Sequence, residues 1–244
     1  MDNSKRHGRF TSSQNHKATA SLKSGKPSQA YFTYVAEKAV ERSMQRTADT
    51  KVKVRAMLWG KLMEIVLFNL LGLEYKMVHK QTLVHPDYWF WSGTPDLKTD
   101  KKIGEIKCYE PKKFGLLSMC LLKKNVALLK ENFKEEYWQC VSNACLLGVN
   151  RAELIAYMPT KTELKEIIEQ VQEGNFLERN GLDPTDYIFW FNENNIESLP
   201  YLPDDSPMSS VNSFEFDVPR EDIDFLTERL ISANEEVELI LNQK

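Results

Sequence analysis

The chain has 244 residues, of which 42% are hydrophobic and 27% are charged, and its formal net charge is −3. This length and apolar content favour one α/β domain with additions over two independent domains. No segment approaches the run of about 18 apolar residues that a membrane span requires, and the N-terminus lacks the apolar core of a signal peptide, so we expect a cytoplasmic protein with no membrane partner.

The N-terminal part divides into a polar segment and two helical patterns. Residues 1–30 are rich in Ser, Lys and Gly and predict a basic N-terminal arm, followed by a single domain over 31–244. Apolar residues at helical spacing predict helices over 29–46 and 52–71. Glu64 interrupts the second apolar pattern, and a carboxylate there is costly to bury unless it is paired or metal-bound. It is therefore a candidate site residue, with a surface position as the alternative.

Short apolar segments follow, and they predict a β-meander over 77–84, 88–91, 96–98 and 103–109. The aromatic run Trp89-Phe90-Trp91 lies within it. Such runs in strands favour core packing over stacking on unpaired bases.

The most informative motif is Gly93-Thr94-Pro95-Asp96, followed nine residues later by Glu105-Ile106-Lys107. It puts Asp96 and Glu105 on adjacent strands, and strand alternation puts Glu105 and Lys107 on one face. Mg²⁺ prefers oxygen ligands, here the two carboxylates and the Ile106 carbonyl. Lys107 would orient or help to deprotonate the attacking water. These groups suit phosphodiester hydrolysis, while a hairpin with solvated charges is the alternative.

The remaining pattern alternates helices and strands. It predicts helices over 116–133, 135–147, 162–172 and 219–241, and strands over 153–158, 187–191 and 214–218. Gln139 lies on the second of these helices and is a candidate to hydrogen-bond the attacking water, Lys107 or a phosphate oxygen. A polar residue at a helix boundary is the alternative. The four Cys residues lack metal-binding spacing and predict buried thiols.

Charge is distributed unevenly along the chain. Residues 1–130 hold 24 Lys and Arg against 11 Asp and Glu, whereas residues 131–244 hold 8 against 24. This asymmetry indicates a nucleic-acid partner for the basic half. Neutralisation of one half by the other, within the fold or between subunits, is compatible with it.

Four ordered blocks resemble the PD-(D/E)xK nuclease superfamily, and within it the phage lambda exonuclease or YqaJ-like viral recombinase family. The blocks are Arg6-His7-Gly8-Arg9-Phe10-Thr11-Ser12-Ser13, the segment from Ser24 through Tyr31 to Glu37, the helix from Ala56 to Glu64, and the Asp96, Glu105, Lys107 and Gln139 set. Ser12 departs from the usual Ala. Several ordered motifs are far more specific than one.

The resemblance implies an α/β (α+β) fold with a restriction-endonuclease-like core, in which helices flank a central mixed β-sheet. It implies Mg²⁺, with Mn²⁺ as a substitute, held by Asp96, Glu105 and the Ile106 carbonyl. Glu64 would contribute a further acidic ligand to the metal, Lys107 and Gln139 would act on the water, and Arg6 and Ser13 would bind the 5′-terminal phosphate of DNA. The region after 31 would be one exonuclease domain with an acidic strand–helix extension.

The implied function is a 5′→3′ exonuclease that degrades linear double-stranded DNA to 5′-mononucleotides. The resulting 3′ overhangs would suit a single-strand annealing partner in phage-type recombination, and the family often forms homotrimers. Two alternatives stay open: a PD-(D/E)xK endonuclease or resolvase, and a catalytically inactive DNA-binding module.

Overall fold

The structure is a computed structural model that describes residues 5–48, 54–71, 75–77, 81–172 and 175–243. Its strands are β1 (Phe10–Thr11), β2 (Lys76–Met77), β3 (Leu83–Val84), β4 (Trp91–Gly93), β5 (Leu97–Lys98), β6 (Ile103–Lys107), β7 (Arg151–Tyr157) and β8 (Val211–Asp217). Its helices are α1 (His16–Thr19), α2 (Gln29–Met44), α3 (Arg55–Leu71), α4 (Pro111–Leu122), α5 (Val126–Asn132), α6 (Lys134–Leu147), α7 (Lys161–Gln172), α8 (Phe176–Arg179) and α9 (Arg220–Leu241).

A mixed sheet forms the centre of the molecule, with the strand order β2-β5-β6-β7-β8. β6 and β7 are parallel, and the other neighbouring pairs are antiparallel. One face packs against a cluster that includes α2, α4, α6 and α9, and the other packs against α3 and α7. The predicted central mixed sheet flanked by helices is therefore confirmed.

The predicted meander is divided between two sheets. β4 pairs with β1 and β3 in a separate sheet, whereas β5 pairs with β2 and β6. Pro95 lies between β4 and β5 and lacks the N–H that a continuing strand pair requires. The prediction of one continuous meander is wrong because the chain changes sheets at this proline.

The N-terminal segment differs from the predicted arm. Phe10 and Ala18 are fully buried, and the Phe10 and Tyr34 rings meet edge to face with centroids 5.2 Å apart. The Thr11 N–H donates a 2.9 Å hydrogen bond to the Tyr34 hydroxyl. This segment is packed into the core, and residues 1–4 lie outside the described part of the chain.

Local signals explain two further differences. The predicted helix over 116–133 is two helices, because the Asn125 side chain accepts a hydrogen bond from the Leu128 N–H and caps α5. The predicted strand over 187–191 is a turn instead. Tyr187 and Phe191, four positions apart, are both buried, and the Phe191 N–H donates to the Tyr187 carbonyl.

Two helices have predicted bounds that the structure adjusts. The predicted helix over 52–71 is seen from Arg55, and its predicted start at Val52 falls outside the described residues. The helix predicted over 29–46 ends at Met44.

Other expectations concern aromatic residues, thiols and the membrane. Phe90 and Trp91 are buried, as predicted for core packing, whereas Trp89 is about half exposed.

The Cys residues are free thiols, and Cys145 alone among them is only partly buried. In the described part of the chain, the helices are too short or too polar to span a bilayer.

Candidate active site

Two carboxylates meet where β5 begins beside β6. Leu97 pairs with Gly104, so the preceding Asp96 lies opposite Glu105. Asp96 Oδ2 accepts a 2.8 Å hydrogen bond from the Ile106 N–H. The charge of Asp96 raises the pKa of Glu105, so the two carboxyl groups interact directly. The antiparallel turn thus brings together two acids that the sequence separates by nine positions.

Side chains of β6 alternate between the two faces of the sheet. Glu105 and Lys107 both contact Gln139 on α6, whereas Ile106 packs on the opposite face with residues of α3 and α7. The prediction that Glu105 and Lys107 share a face is confirmed.

Two amides of α6 bind the Glu105 carboxylate. Gln139 Nε2 donates a 2.6 Å hydrogen bond to Oε2, and Asn143 Nδ2 donates to Oε1. Lys107 Nζ donates a 2.9 Å hydrogen bond to Gln139 Oε1 and lies 3.8 Å from Glu105 Oε2. Gln139 and Asn143 are four positions apart on one helix, so both project towards the same strand.

Burial raises the pKa values of the three carboxyl groups at the site. Burial, followed by the negative charge of Asp96, raises the pKa of Glu105 well above its ordinary value. Burial also raises the pKa of Asp96. For Glu64 on α3, burial and then the charge of Asp96 raise the pKa to about 8. A cluster of acids that resists ionisation in this way is favourable for a cation.

The acidic neighbours of Lys107 determine its charge state. Burial lowers the pKa of its amine, but the charges of Glu105, Asp96 and Glu64 outweigh burial and raise it above the ordinary lysine value. Lys107 is therefore a cation at neutral pH. This charge state favours orientation of water or phosphate by its N–H groups over removal of a proton.

The donor set fits a hard divalent cation. Asp96 and Glu105 supply carboxylate oxygens. The Ile106 carbonyl points to the same side as its N–H, towards Asp96, because both groups of a strand residue face one neighbour. Mg²⁺ is usually bound by one or two carboxylates together with water and phosphate oxygens.

The position of Glu64 is a separate question. In the part of the chain that the structure describes, no group of three Asp, Glu, His or Cys side chains has metal-binding geometry. Glu64 interacts with Asp96 and Lys107 through its charge, and its role as a metal ligand stays a prediction.

The predicted phosphate-binding residues lie in the N-terminal segment. Arg6 is half-buried in a turn before β1, and Ser13 is half-buried in a short 3₁₀ helix, Ser12–Gln14. That 3₁₀ helix contacts α6, the helix that carries Gln139. The described contacts of the carboxylate cluster do not include Arg6 or Ser13, and their role stays a prediction.

Sequence reasoning missed the polar residues that join α6 to the rest of the site. The buried Ser142 hydroxyl hydrogen-bonds to Ser12 Oγ at 2.8 Å, to the Asn15 amide at 3.0 Å and to Trp91 Nε1 at 2.8 Å. Asn143 binds Glu105 directly. The only signal in the sequence is the spacing of Asn143 four positions after Gln139, which becomes informative only when the facing strand is known.

Comparisons with known proteins agree with this architecture. The model of the YqaJ-like viral recombinase domain matches residues 3–147. A crystal structure of LHK-Exo in complex with dAMP is 14% identical, with a TM-score of 0.63, and the match covers 98% of this chain and 92% of that one. A crystal structure of the alkaline exonuclease LHK-Exo from Laribacter hongkongensis is 14% identical, with a TM-score of 0.62. The match covers 97% of this chain and 91% of that one.

A phage-related exonuclease from Haemophilus somnus is 16% identical, with a TM-score of 0.62 and coverage of 99% of this chain and 98% of that one. No curated protein matches the sequence. These likenesses extend over the whole length of the chain and show a shared restriction-endonuclease-like fold.

Proposed function

The chain belongs to the YqaJ-like viral recombinase family, and we propose that it is a metal-dependent 5′→3′ exonuclease of linear double-stranded DNA. The observation that carries the proposal is the convergence of Asp96, Glu105 and Lys107 beside Gln139. The similar solved structures are of exonucleases, one of them with a bound nucleotide, dAMP, and this supports a nuclease acting on DNA.

Asp96, Glu105 and the Ile106 carbonyl would hold Mg²⁺, for which Mn²⁺ can substitute. When bound, the cation offsets charge on the scissile phosphate and lowers the pKa of the attacking water. It would also offset the repulsion among the crowded carboxylates, whose pKa values burial raises. Glu64 adds negative charge close to Asp96 and so favours cation binding.

Lys107 supplies the fixed positive charge of the site. Its amine is protonated and donates to Gln139 Oε1, which leaves its other N–H groups able to donate to the attacking water or to a phosphate oxygen. A donor held in place before the reaction stabilises developing charge without reorganisation. Gln139 positions Lys107 and Glu105 with one amide group.

Arg6 and Ser13 would bind the terminal 5′ phosphate. A guanidinium binds phosphate through two parallel hydrogen bonds, and a hydroxyl adds one donor. Each hydrolysis would release a 5′-mononucleotide and create a new 5′ phosphate, so the same pocket would serve every cycle. The product is a 3′ overhang, which suits a single-strand annealing protein, and a homotrimer would enclose the duplex.

Substitution of the site residues tests this function. We expect Asp96→Ala and Lys107→Ala to slow degradation of linear duplex by at least about 100-fold, because each removes charge stabilisation at the phosphate. Binding of the duplex, measured by fluorescence anisotropy in EDTA, should persist. The matched control is Lys165→Ala, at an exposed position of α7, which should retain the parental rate. Parental rates for both site variants would reject the assignment.

A further inference from the structure

We propose that Asn143 is a positioning residue that fixes the Glu105 carboxylate in the orientation required for divalent-metal binding. This inference rests on the proposed function, because it concerns the same metal site. Asn143 would act through Glu105 and would not itself contact the metal or the DNA.

The first argument is the division of contacts at Glu105. The carboxylate is completely buried, and each of its oxygens has a different amide donor on α6. Gln139 is shared between Glu105 and Lys107, whereas the described hydrogen bond of Asn143 is made to Glu105. One donor would leave the carboxylate able to rotate about its last bond, and a second donor on the other oxygen determines its plane.

The second argument is that Asn143 is a poor choice for stability alone. Its side chain is fully buried, and its Oδ1 has no hydrogen-bond partner among the described residues. A buried carbonyl oxygen without a partner destabilises the folded state, and an apolar side chain of similar shape would remove that cost. The presence of an amide at this position is therefore explained by the hydrogen bond that its Nδ2 donates to Glu105.

The third argument is the space that the neighbouring strand leaves for this amide. A Cβ atom built on Gly93 of β4 would lie 2.3 Å from Asn143 Oδ1 and 2.0 Å from Ser12 Oγ. Such distances are shorter than any normal contact, so only glycine lets β4 approach α6 this closely. The glycine three positions before Asp96 thus gives Asn143 the room to reach Glu105.

Ser142 provides a matched control on the same helix. It is fully buried like Asn143, but its hydroxyl bonds to Ser12, Asn15 and Trp91 and does not contact a carboxylate in the described structure. Ser142 is therefore expected to contribute to stability and not to metal binding.

The test is a titration of the full-length protein with Mn²⁺ in the absence of DNA, followed by electron paramagnetic resonance of the free ion. We expect Asn143→Leu and Asn143→Ala to weaken Mn²⁺ binding by about 10- to 100-fold, as for other partners that orient metal ligands. Asn143→Leu removes the unpaired Oδ1 but also leaves Glu105 Oε1 without its amide donor, so its unfolding temperature in EDTA should fall by no more than about 2–4 °C. Ser142→Ala should keep the parental Mn²⁺ affinity and unfold at least about 2–4 °C lower.

The outcomes separate this inference from the proposed function. A parent that neither binds Mn²⁺ nor degrades linear duplex contradicts the proposed function. A parent that does both, with Asn143 variants of equal Mn²⁺ affinity, overturns the positioning role alone. Asn143 variants that fail to fold, or that lose stability as Ser142→Ala does without a selective loss of Mn²⁺ affinity, also overturn it, because they show a structural role.

Discussion

At the residue scale, the carboxylates of the site carry more negative charge than Lys107 offsets. Burial and the charge of Asp96 raise the pKa of Glu64 to about 8, so this carboxyl binds protons more tightly in the folded protein than in the unfolded chain. Its contribution to stability is present below the unfolded value near 4.5 and is lost as the pH rises through the folded pKa.

We therefore expect the metal-free protein to lose stability as the pH rises from about 5 to 8, and Glu64→Gln to reduce that loss because it removes the titrating group. Urea denaturation in EDTA at several pH values measures the free energy of unfolding. Glu228→Gln, at an exposed position of α9, is the control and should follow the parental profile. An identical pH slope for the parent and Glu64→Gln would contradict the assignment.

The phosphate pocket makes a second prediction at this scale. Arg6→Ala should slow digestion of 5′-phosphorylated duplex by roughly 10- to 100-fold, since a hydrogen bond to a charged group contributes about 1.5–3 kcal/mol. Digestion of 5′-hydroxyl ends should change much less. The initial rates on the two duplexes are compared, with Lys5→Ala at the neighbouring exposed position as control. Equal slowing on both ends would rule out the pocket.

At the scale of elements, the N-terminal segment supports the site and is part of the core. β1 pairs in parallel with β4, and the following 3₁₀ helix reaches Ser142 of α6 through Ser12. α6 in turn carries both amides that bind Glu105.

Phe10→Ala tests whether this segment is a structural part of the fold. Phe10 is fully buried against Tyr34 and Phe90, so its truncation should lower the free energy of unfolding by about 3–5 kcal/mol. Leu22→Ala, in the same segment but more than half exposed, should change it by less than about 0.5 kcal/mol. Urea denaturation measures both. Equal, small effects would mean that the segment is an arm after all.

The elements that sequence alone predicts are those with a local cause. α2, α3, α6 and α9 follow from apolar spacing, since a buried face repeats every three to four residues. The exchange of sheets at Pro95 and the turn at Tyr187 depend on which distant segments pair or pack. Periodicity over a few residues cannot report such partners.

The same distinction explains how much of the site was predictable. Asp96, Glu105 and Lys107 lie in one short motif, and their spacing around a turn was sufficient to bring them together. Asn143 contacts Glu105 across a separation of 38 residues, and the close approach of Gly93 depends on the packing of β4 against α6. These contacts depend on tertiary structure, so local patterns do not contain them.

At the scale of the whole molecule, the basic and acidic halves partly neutralise each other. Arg42 lies 2.7 Å from Glu238, and Lys102 lies 2.8 Å from Glu153 and 2.7 Å from Glu215. Other lysines of the basic half are exposed, namely Lys23, Lys26, Lys61, Lys101, Lys112, Lys123 and Lys124. Charge within the fold and charge available for DNA are thus carried by different residues.

This division predicts strongly salt-dependent DNA binding. For the inactive Asp96→Ala variant, a plot of log affinity against log salt concentration should be linear, with a slope of about −0.9 for each phosphate contacted. Anisotropy titrations with a labelled duplex measure the slope. An affinity that does not change with salt would mean that the basic half is already neutralised within the fold.

The most direct test of the account is a digestion with Mg²⁺ of linear duplex labelled separately at its 5′ and 3′ termini, beside a covalently closed circular duplex. We predict that the 5′ label is released first, as a 5′-mononucleotide, and that the circle stays intact. Release of the 3′ label first, or cleavage of the circle, would contradict an end-dependent 5′→3′ exonuclease.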